Sequence, residues 1–314
     1  MPDVKDQEVR LPEVDMFHYK PNNPAEVPIT KSEICTDAAS PNFVRHIEFD
    51  VSGTLLENSI VPGQAVGVLP PGESENGRPH KLRLYSTCSP TGGENGDGKI
   101  YATTVKRVID EHWESQNLYL GVCSNFLCDK VAGDKLLMTG PSGKRFILPE
   151  NPEDYNYIFM ATGTGIAPFR GMVLDLMRSG MTNDVVLSFG CPYRTDVLYR
   201  NFFEEIASNH KNFHYLKSIS REDPRPDGTK PYVQYALLDQ KALMYPILEK
   251  DNTLIYVCGL EGMETGIFRI LGMMGLYDYL DLKDEAKDVD PMDWTKEQLK
   301  RKVKAGERMF LEVY

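Results

Sequence analysis

The stretch Tyr157–Arg170, YIFMATGTGIAPFR, decides how the second half of the chain is read. Tyr157–Met160 is a continuous apolar run of the kind buried on both faces of a parallel sheet. Gly163 and Gly165 follow, and then an apolar-periodic helical segment, Ala167–Arg178, carries Pro168 in its first turn, where a missing N–H costs little. A strand, a glycine turn and a helix in that order offer unpaired N–H groups and a partial positive charge to a pyrophosphate. Pro168 stands where GxGxxG would have its third glycine, so on this motif alone a plain tight turn is the alternative.

Downstream the same alternation continues. Val185–Phe189, Phe213–Ser218 and Leu254–Val257 read as further strands, and Leu198–Ser208, Tyr235–Leu248, Met263–Met274 and Pro291–Val303 read as helices. Alternating strands and helices predict a parallel sheet covered on both faces. Met309–Tyr314 closes the chain with a strand-like run.

Upstream of Pro149 the texture differs. Phe43–Phe49, Ala65–Leu69, Lys81–Ser86, Ile100–Val108 and Lys135–Thr139 are short runs rich in β-branched and aromatic residues, separated by turn residues. They predict an antiparallel barrel or sandwich. Gly92–Gly98 reads as a flexible loop, because no helical pattern follows it. The expected organisation is two domains: an N-terminal extension over 1–27, a β domain over 28–150 and an α/β domain over 151–314.

Composition bounds the function. The 314 residues carry a net charge of −11, which argues against a general nucleic-acid binder, and no apolar run reaches the roughly 18 residues of a membrane span. Six cysteines without CxxC pairing argue against a zinc site or disulfide framework. The N-terminal MPDVKDQEVRLPEVD has no apolar core and carries several acids, unlike a signal or transit peptide. A cytoplasmic protein is expected, or a plastid one whose targeting segment is absent from this sequence.

Five motifs carry candidate chemistry. Arg83-Leu84-Tyr85-Ser86 pairs a guanidinium suited to a diphosphate with a ring that can stack on a flat heterocycle; an ordinary strand with a surface Arg would look the same. Gly121–Leu127 can leave N–H groups free for a phosphate, or simply be a helix capped by Ser124. The Gly163–Pro168 turn is the third. Ser220-Arg221, followed by Lys230, Tyr232 and Gln234, can surround a ribose 2′-phosphate and stack on adenine, although the stretch also reads as a solvated loop. Cys258-Gly259-Leu260 ends a strand in a glycine turn, where a thiol can lie beside a nicotinamide or be merely buried.

Taken together, PHKLRLYS at 79–86, VKR at 105–107, GVCSNFLCD at 121–129, GPSGK at 140–144, ATGTGIAPFR at 161–170, SRE at 220–222, CGLEGME at 258–264 and the terminal EVY resemble the plant-type, plastidic class of ferredoxin–NADP reductases. The resemblance runs in family order from about Gly63 to Tyr314. It implies an FAD-binding antiparallel β-barrel followed by a Rossmann-like α/β NADP-binding domain, with the flavin ring in the crevice between them. It implies FAD held by Arg83, Leu84, Tyr85, Ser86 and Thr104, with Val122, Cys123 and Ser124 at the pyrophosphate. Thr164, Gly165, Gly259 and Leu260 would serve NADP(H), with Lys106 as a further cationic contact, and Ser220, Arg221, Lys230, Tyr232 and Gln234 would bind the 2′-phospho-adenosine. The catalytic set would be Ser86, Cys258, Glu312 and Tyr314, with Tyr314 stacked on the flavin in the nicotinamide position.

The implied partner is an acidic one-electron carrier, ferredoxin or flavodoxin, docking on a basic rim for which Arg78, Lys81, Lys144 and Arg145 are candidates, and a monomer is expected. One departure stands out. Plastidic members usually carry a Tyr shortly after VKR that stacks on the FAD adenine, whereas this chain has Asp110 there. Either His112, Trp113 or Tyr119 takes that place, or the adenosine is loosely held. An NADH-linked reductase of the cytochrome b5 reductase kind would share RxYS and a glycine-rich loop, but the Ser220–Tyr232 cluster and the terminal Tyr314 argue against it.

Overall fold

The computed structural model describes residues 9–111, 114 and 116–314. Contacts divide the chain into two units, one of Glu13–Leu148 with Ala167–Asp175, the other of Met1–Pro12, Pro149–Ile166 and Leu176–Tyr314.

The first unit is built on six antiparallel strands: β1 (Ala25–Ile34), β2 (Val44–Asp50), β3 (Ala65–Leu69), β4 (Arg83–Ser86), β5 (Ile100–Lys106) and, after two short strands and a helix, β8 (Lys135–Ser142). Their order is β4-β3-β8-β1-β2-β5. The two edges meet: Thr87, just past β4, bridges Thr103 of β5, and the Thr103 hydroxyl donates to Ser86 O at 2.9 Å. The closed wall surrounds a core that includes Val27, Ile47, Phe49, Val66, Tyr101 and Met138.

β1 was not among the strands read from sequence. It begins inside the segment expected to be an extension, and its first half alternates buried Ala25, Val27 and Ile29 with exposed neighbours, the period-2 signature of a half-buried strand. Pro28 interrupts that run of residue types and hides the signal. The loop Gly92–Gly98 is likewise better fixed than expected. Gly98 N donates to Gly92 O, Glu94 N to Ile100 O, and Glu94 is held by Ser89 at 2.7 Å and by the fork of Arg170 at 2.7 and 2.9 Å.

Between β5 and β8 lie β6 (Ile109–Glu111), β7 (Leu118–Leu120) and helix α1 (Val122–Cys128). β6 and β7 form an antiparallel ladder in which Asp110 faces Tyr119.

The second unit carries β9 (Asn156–Thr162), β10 (Val185–Cys191), β11 (Phe213–Ile219), β12 (Thr253–Gly259) and β15 (Met309–Val313) in one parallel sheet of order β11-β10-β9-β12-β15. β9, β10 and β12 are buried almost throughout, as a sheet covered on both faces requires. The connections are α2 (Ala167–Arg178), α3 (Arg200–Asn209), α4 (Ala236–Asp239), α5 (Lys241–Leu248) and α6 (Met263–Met273); then come β13 (Leu280–Leu282), α7 (Asp284–Lys287), α8 (Lys296–Arg301) and β14 (Val303–Ala305). The sequence places α2 in the α/β domain, yet Ala167–Asp175 groups with the barrel.

Two expected helices are interrupted. Tyr235–Leu248 breaks at Gln240, so that α4 presents Leu237 and α5 presents Met244, Ile247 and Leu248 to the core separately. Pro291–Val303 is a short turn capped by Asp290, then α8, started by a reciprocal Thr295–Gln298 capping box, and finally a strand residue, Val303. Trp294 is buried between the two pieces and donates to Ala286 O at 3.1 Å.

Candidate functional site

In the barrel unit the candidate residues gather where β4 faces the start of α1. Arg83 is exposed and Tyr85 half-buried. Burial raises the Cys123 thiol above its ordinary value, while a hydrogen bond from the Tyr85 phenol and the Arg83 guanidinium oppose the rise, so these three groups lie together. Ser124 is not the helix cap. Gly121 is, without any side-chain cap, and Ser124 sits a turn inside, donating to Gly121 O at 3.1 Å. The first N–H groups of α1 therefore carry no side-chain acceptor, which is the chemistry that receives a phosphate. A Cβ at Gly121 would meet Ser124 Oγ at 2.6 Å and Val108 Cβ at 2.9 Å, so the tight entry needs glycine.

Asn125 and Arg107, quoted in the sequence motifs without a role of their own, secure that entry. Asn125 Nδ2 donates to Val108 O and Gly121 O at 2.9 Å, and Arg107 bridges Asn125 at 3.0 Å and Asp129 at 2.6 Å. Asn125 stood inside the quoted GVCSNFLCD run, but its reach to Val108 had no signal in the sequence. Beside them is an exposed apolar surface: Leu84, Ile109, Leu118, Tyr119, Leu120 and Val122 are each at least 47% exposed. Thr104 is buried and Lys106 exposed at the end of β5. Ser86 is half-buried on β4 opposite Ala65. His112 and Trp113 lie outside the described residues.

The barrel also brings together His46, Cys88 and Glu94, whose ligand atoms lie within 4.8 Å of one another, a trio that metal-ligand spacing in the sequence does not reveal. Burial would raise the Cys88 thiol, but His46 and then Arg170 override it and hold it below its ordinary value. Burial would likewise raise Glu94, and the Arg170 fork lowers it. Within the group, the Glu94 carboxylate is already paired with the Arg170 guanidinium.

In the α/β unit, every other candidate lies at the carboxyl end of a parallel strand, where open α/β sheets bind ligands. After β9, Gly163–Ile166 winds a single 3₁₀ turn directly into α2 rather than forming an open loop. Gly163 has φ +54° and nothing within 4 Å of where a Cβ would be, so bare backbone faces open space. Gly165 faces the opposite constraint, since a Cβ would approach Cys258 O to 2.2 Å. The Thr164 hydroxyl and the Tyr314 phenol are hydrogen-bonded at 2.7 Å.

Cys258 of β12 pairs in register with Glu312 of β15. Cys258 is fully buried and Glu312 half-buried. Burial pushes the Cys258 thiol well above its ordinary value, with Glu312 adding to the rise, and burial alone lifts the Glu312 carboxyl to about 7. The chain end is stitched into the sheet, Tyr314 N donating to Gly259 O at 2.9 Å and Glu261 N to Tyr314 O at 3.0 Å. Leu260 N donates to Thr162 Oγ1 at 3.1 Å.

After β11, Ser220 and Arg221 form a turn, and Tyr232 is 48% exposed beyond it. Lys230 is exposed, while Gln234 is half-buried with its amide packed over Gly266 of α6. Tyr193, in the turn after β10, was missed by sequence reasoning although it accepts from Arg221 Nη1 at 2.9 Å.

Comparison with known proteins identifies the family. A family model described as an oxidoreductase NAD-binding domain matches residues 159–268. A ferredoxin–NADP reductase of Spirulina sp is 39% identical over 255 residues, covering 79% of this chain and 86% of the relative. The chloroplastic leaf isozyme 1 of Arabidopsis thaliana is 35% identical over 317 residues, covering 99% and 83%. The chain belongs to the ferredoxin–NADP reductase family. A solved ferredoxin–NADP+ reductase from Plasmodium falciparum superposes with a TM-score of 0.69 over 94% of this chain and 98% of its own, at 24% identity, which speaks to the fold. The two-unit architecture of antiparallel barrel and parallel α/β sheet is thus that of the ferredoxin–NADP reductase family, as the resemblance implied.

Proposed function

We propose that this chain exchanges hydride with NADP(H) and single electrons with ferredoxin or flavodoxin through bound FAD. The observation that carries the reading is the convergence, at the carboxyl ends of one parallel sheet, of a bare glycine turn, a Ser-Arg turn and the Cys258–Glu312–Tyr314 set.

FAD, when bound, supplies the conversion between a two-electron hydride and single electrons. Arg83 and the uncapped N–H groups of Val122 and Cys123 suit its diphosphate, and Tyr85 offers a ring to the flavin. Tyr119 faces Asp110 across the ladder and is 60% exposed, so it can give the adenine the aromatic face that Asp110 cannot. Ser86 is the hydroxyl assigned to the reacting end of the ring.

The turn at Gly163–Gly165 receives the NADP(H) pyrophosphate, with Thr164 changing partner when the Tyr314 ring gives way to nicotinamide. Ser220, Arg221 and Lys230 hold the 2′-phosphate, and Tyr232 covers the adenine. Glu312, close to half-ionised at neutral pH, can hold or release a proton, while the Cys258 thiol stays protonated as a soft packing group. Arg78, Lys81, Lys144 and Arg145, all exposed, suit an acidic carrier. Among the described residues no helix is long and apolar enough to cross a membrane. The plant relatives are named chloroplastic, and we take a plastid or the cytoplasm as the compartment and the monomer as the working form.

The test is direct. Purified protein should be yellow and should reduce ferredoxin and flavodoxin with NADPH far faster than with NADH. A colourless protein that takes up no FAD, or equal turnover with the two nucleotides, would overturn the reading.

A further inference from the structure

The turns after β10 and β11 are tied to each other. Ser220 N donates to Cys191 O at 2.9 Å and Arg221 N to Pro192 O at 3.0 Å. The Arg221 guanidinium lies over the Tyr193 ring, 5.4 Å from its centroid, and its Nη1 donates to the Tyr193 hydroxyl at 2.9 Å. Two features of one ring thus fix the fork of a side chain that is otherwise exposed.

The next residue, Arg194, engages the two acids that follow Arg221 in the sequence. Its backbone N–H donates to Glu222 Oε2 at 2.7 Å, its guanidinium reaches the same oxygen at 3.4 Å, and a second amino group pairs with Asp223. Arg200 in turn donates to the Arg194 carbonyl, holding that turn in place. Two carboxylates beside a phosphate-binding arginine would repel the ligand, since exposed charges closer than the Debye length of about 8 Å still act on one another in physiological salt.

We propose that Tyr193 and Arg194 are positioning residues for the 2′-phosphate of NADP(H): Tyr193 keeps the Arg221 fork in one orientation, and Arg194 neutralises Glu222 and Asp223. The proposal rests on the assignment of Ser220 and Arg221 to that phosphate. A fork already ordered loses less rotamer freedom on binding, and a local surface relieved of two negative charges accepts a dianion more readily.

The readout is the ratio of kcat/KM for NADPH to that for NADH, measured on the holoenzyme with ferricyanide as acceptor across a salt series. Arg194→Met should lower the ratio on the order of tenfold at low salt, through the NADPH KM, and the loss should shrink as salt rises. Adding Glu222→Gln and Asp223→Asn to Arg194→Met should restore most of the ratio, because the repelling charges are then gone. Tyr193→Ala should lower it several-fold, and Tyr193→Phe, which keeps the ring, by less. Failure of the neutral triple variant to recover, or a salt-independent loss, would overturn the role of Arg194, as it would mean direct contact or a folding role. Arg221→Ala separates the two levels. If it leaves the ratio unchanged, the 2′-phosphate assignment itself is wrong; if it collapses the ratio while Arg194→Met and Tyr193→Ala match the wild type, only the positioning proposal is overturned.

Discussion

Burial is the cause that lifts the Glu312 carboxyl from 4.5 to about 7. The sign of its effect on stability follows from linkage. Below about pH 4.5 Glu312 is protonated in both states and the folded protein pays nothing. From 4.5 towards 7 the unfolded chain ionises and the folded one resists, so stability is lost with rising pH and levels off above 7. The full loss is at most about 3.5 kcal/mol at roughly 1.4 kcal/mol per pKa unit. Glu312→Gln should therefore match the wild type near pH 4.5 and gain stability on it up to pH 8 in urea unfolding; parallel pH profiles would refute the buried-acid account. At this scale the sequence showed that Ser220-Arg221 and Cys258-Gly259 follow or end a strand, which the structure bears out, but each motif alone also read as a plain loop or a buried thiol. Tyr193 was not legible, since its role depends on a 28-residue separation that only the folding of β10 beside β11 closes.

Among the elements, α2 shows how much one helix can organise. Arg170 reaches from it to Glu94 in the Gly92–Gly98 loop, both side chains only 13% exposed, and to Cys88 O at 2.9 Å. Removing one partner of such a pair strands a buried charge, so Glu94→Ala should cost about 3–5 kcal/mol in equilibrium unfolding. Combining it with Arg170→Met should cost much less than the sum of the single changes; additivity would show that the pair is not coupled. The bounds of β3 and α2 were readable from the sequence because β3 is one unbroken apolar run and α2 keeps one helical periodicity. β1 was not, with Pro28 inside it, nor was the break at Gln240, where apolar residues continue on both sides and only packing separates two helices. The single-sign texture of Gly92–Gly98, all turn residues, concealed a buried ion pair because Glu94 makes its partner some 76 residues away.

For the whole molecule, charge is unevenly spread. The chain carries −11 overall, yet Arg78, Lys81, Lys144 and Arg145 are exposed on the barrel unit. Reversing Lys144 and Arg145 to Glu should lower kcat/KM for ferredoxin on the order of tenfold at low ionic strength and converge on the wild type at high salt. A loss independent of salt, or none, would place the docking surface elsewhere. The two-domain plan was legible from the change in texture at Pro149, but the assignment of α2 was not, because the sequence of a helix does not say which core it serves. That assignment bears on dissection. Neither unit is a continuous length of chain, and a fragment that stops near Pro149 would keep Cys88, Ala102 and Glu94 while losing Ala167 and Arg170, which cover and neutralise them. Separating the barrel unit by one cut would therefore expose apolar surface and a stranded acid together. Supplying Ala167–Arg178 as a separate peptide, or grafting it onto the end of the fragment, is the way to make that unit stand alone.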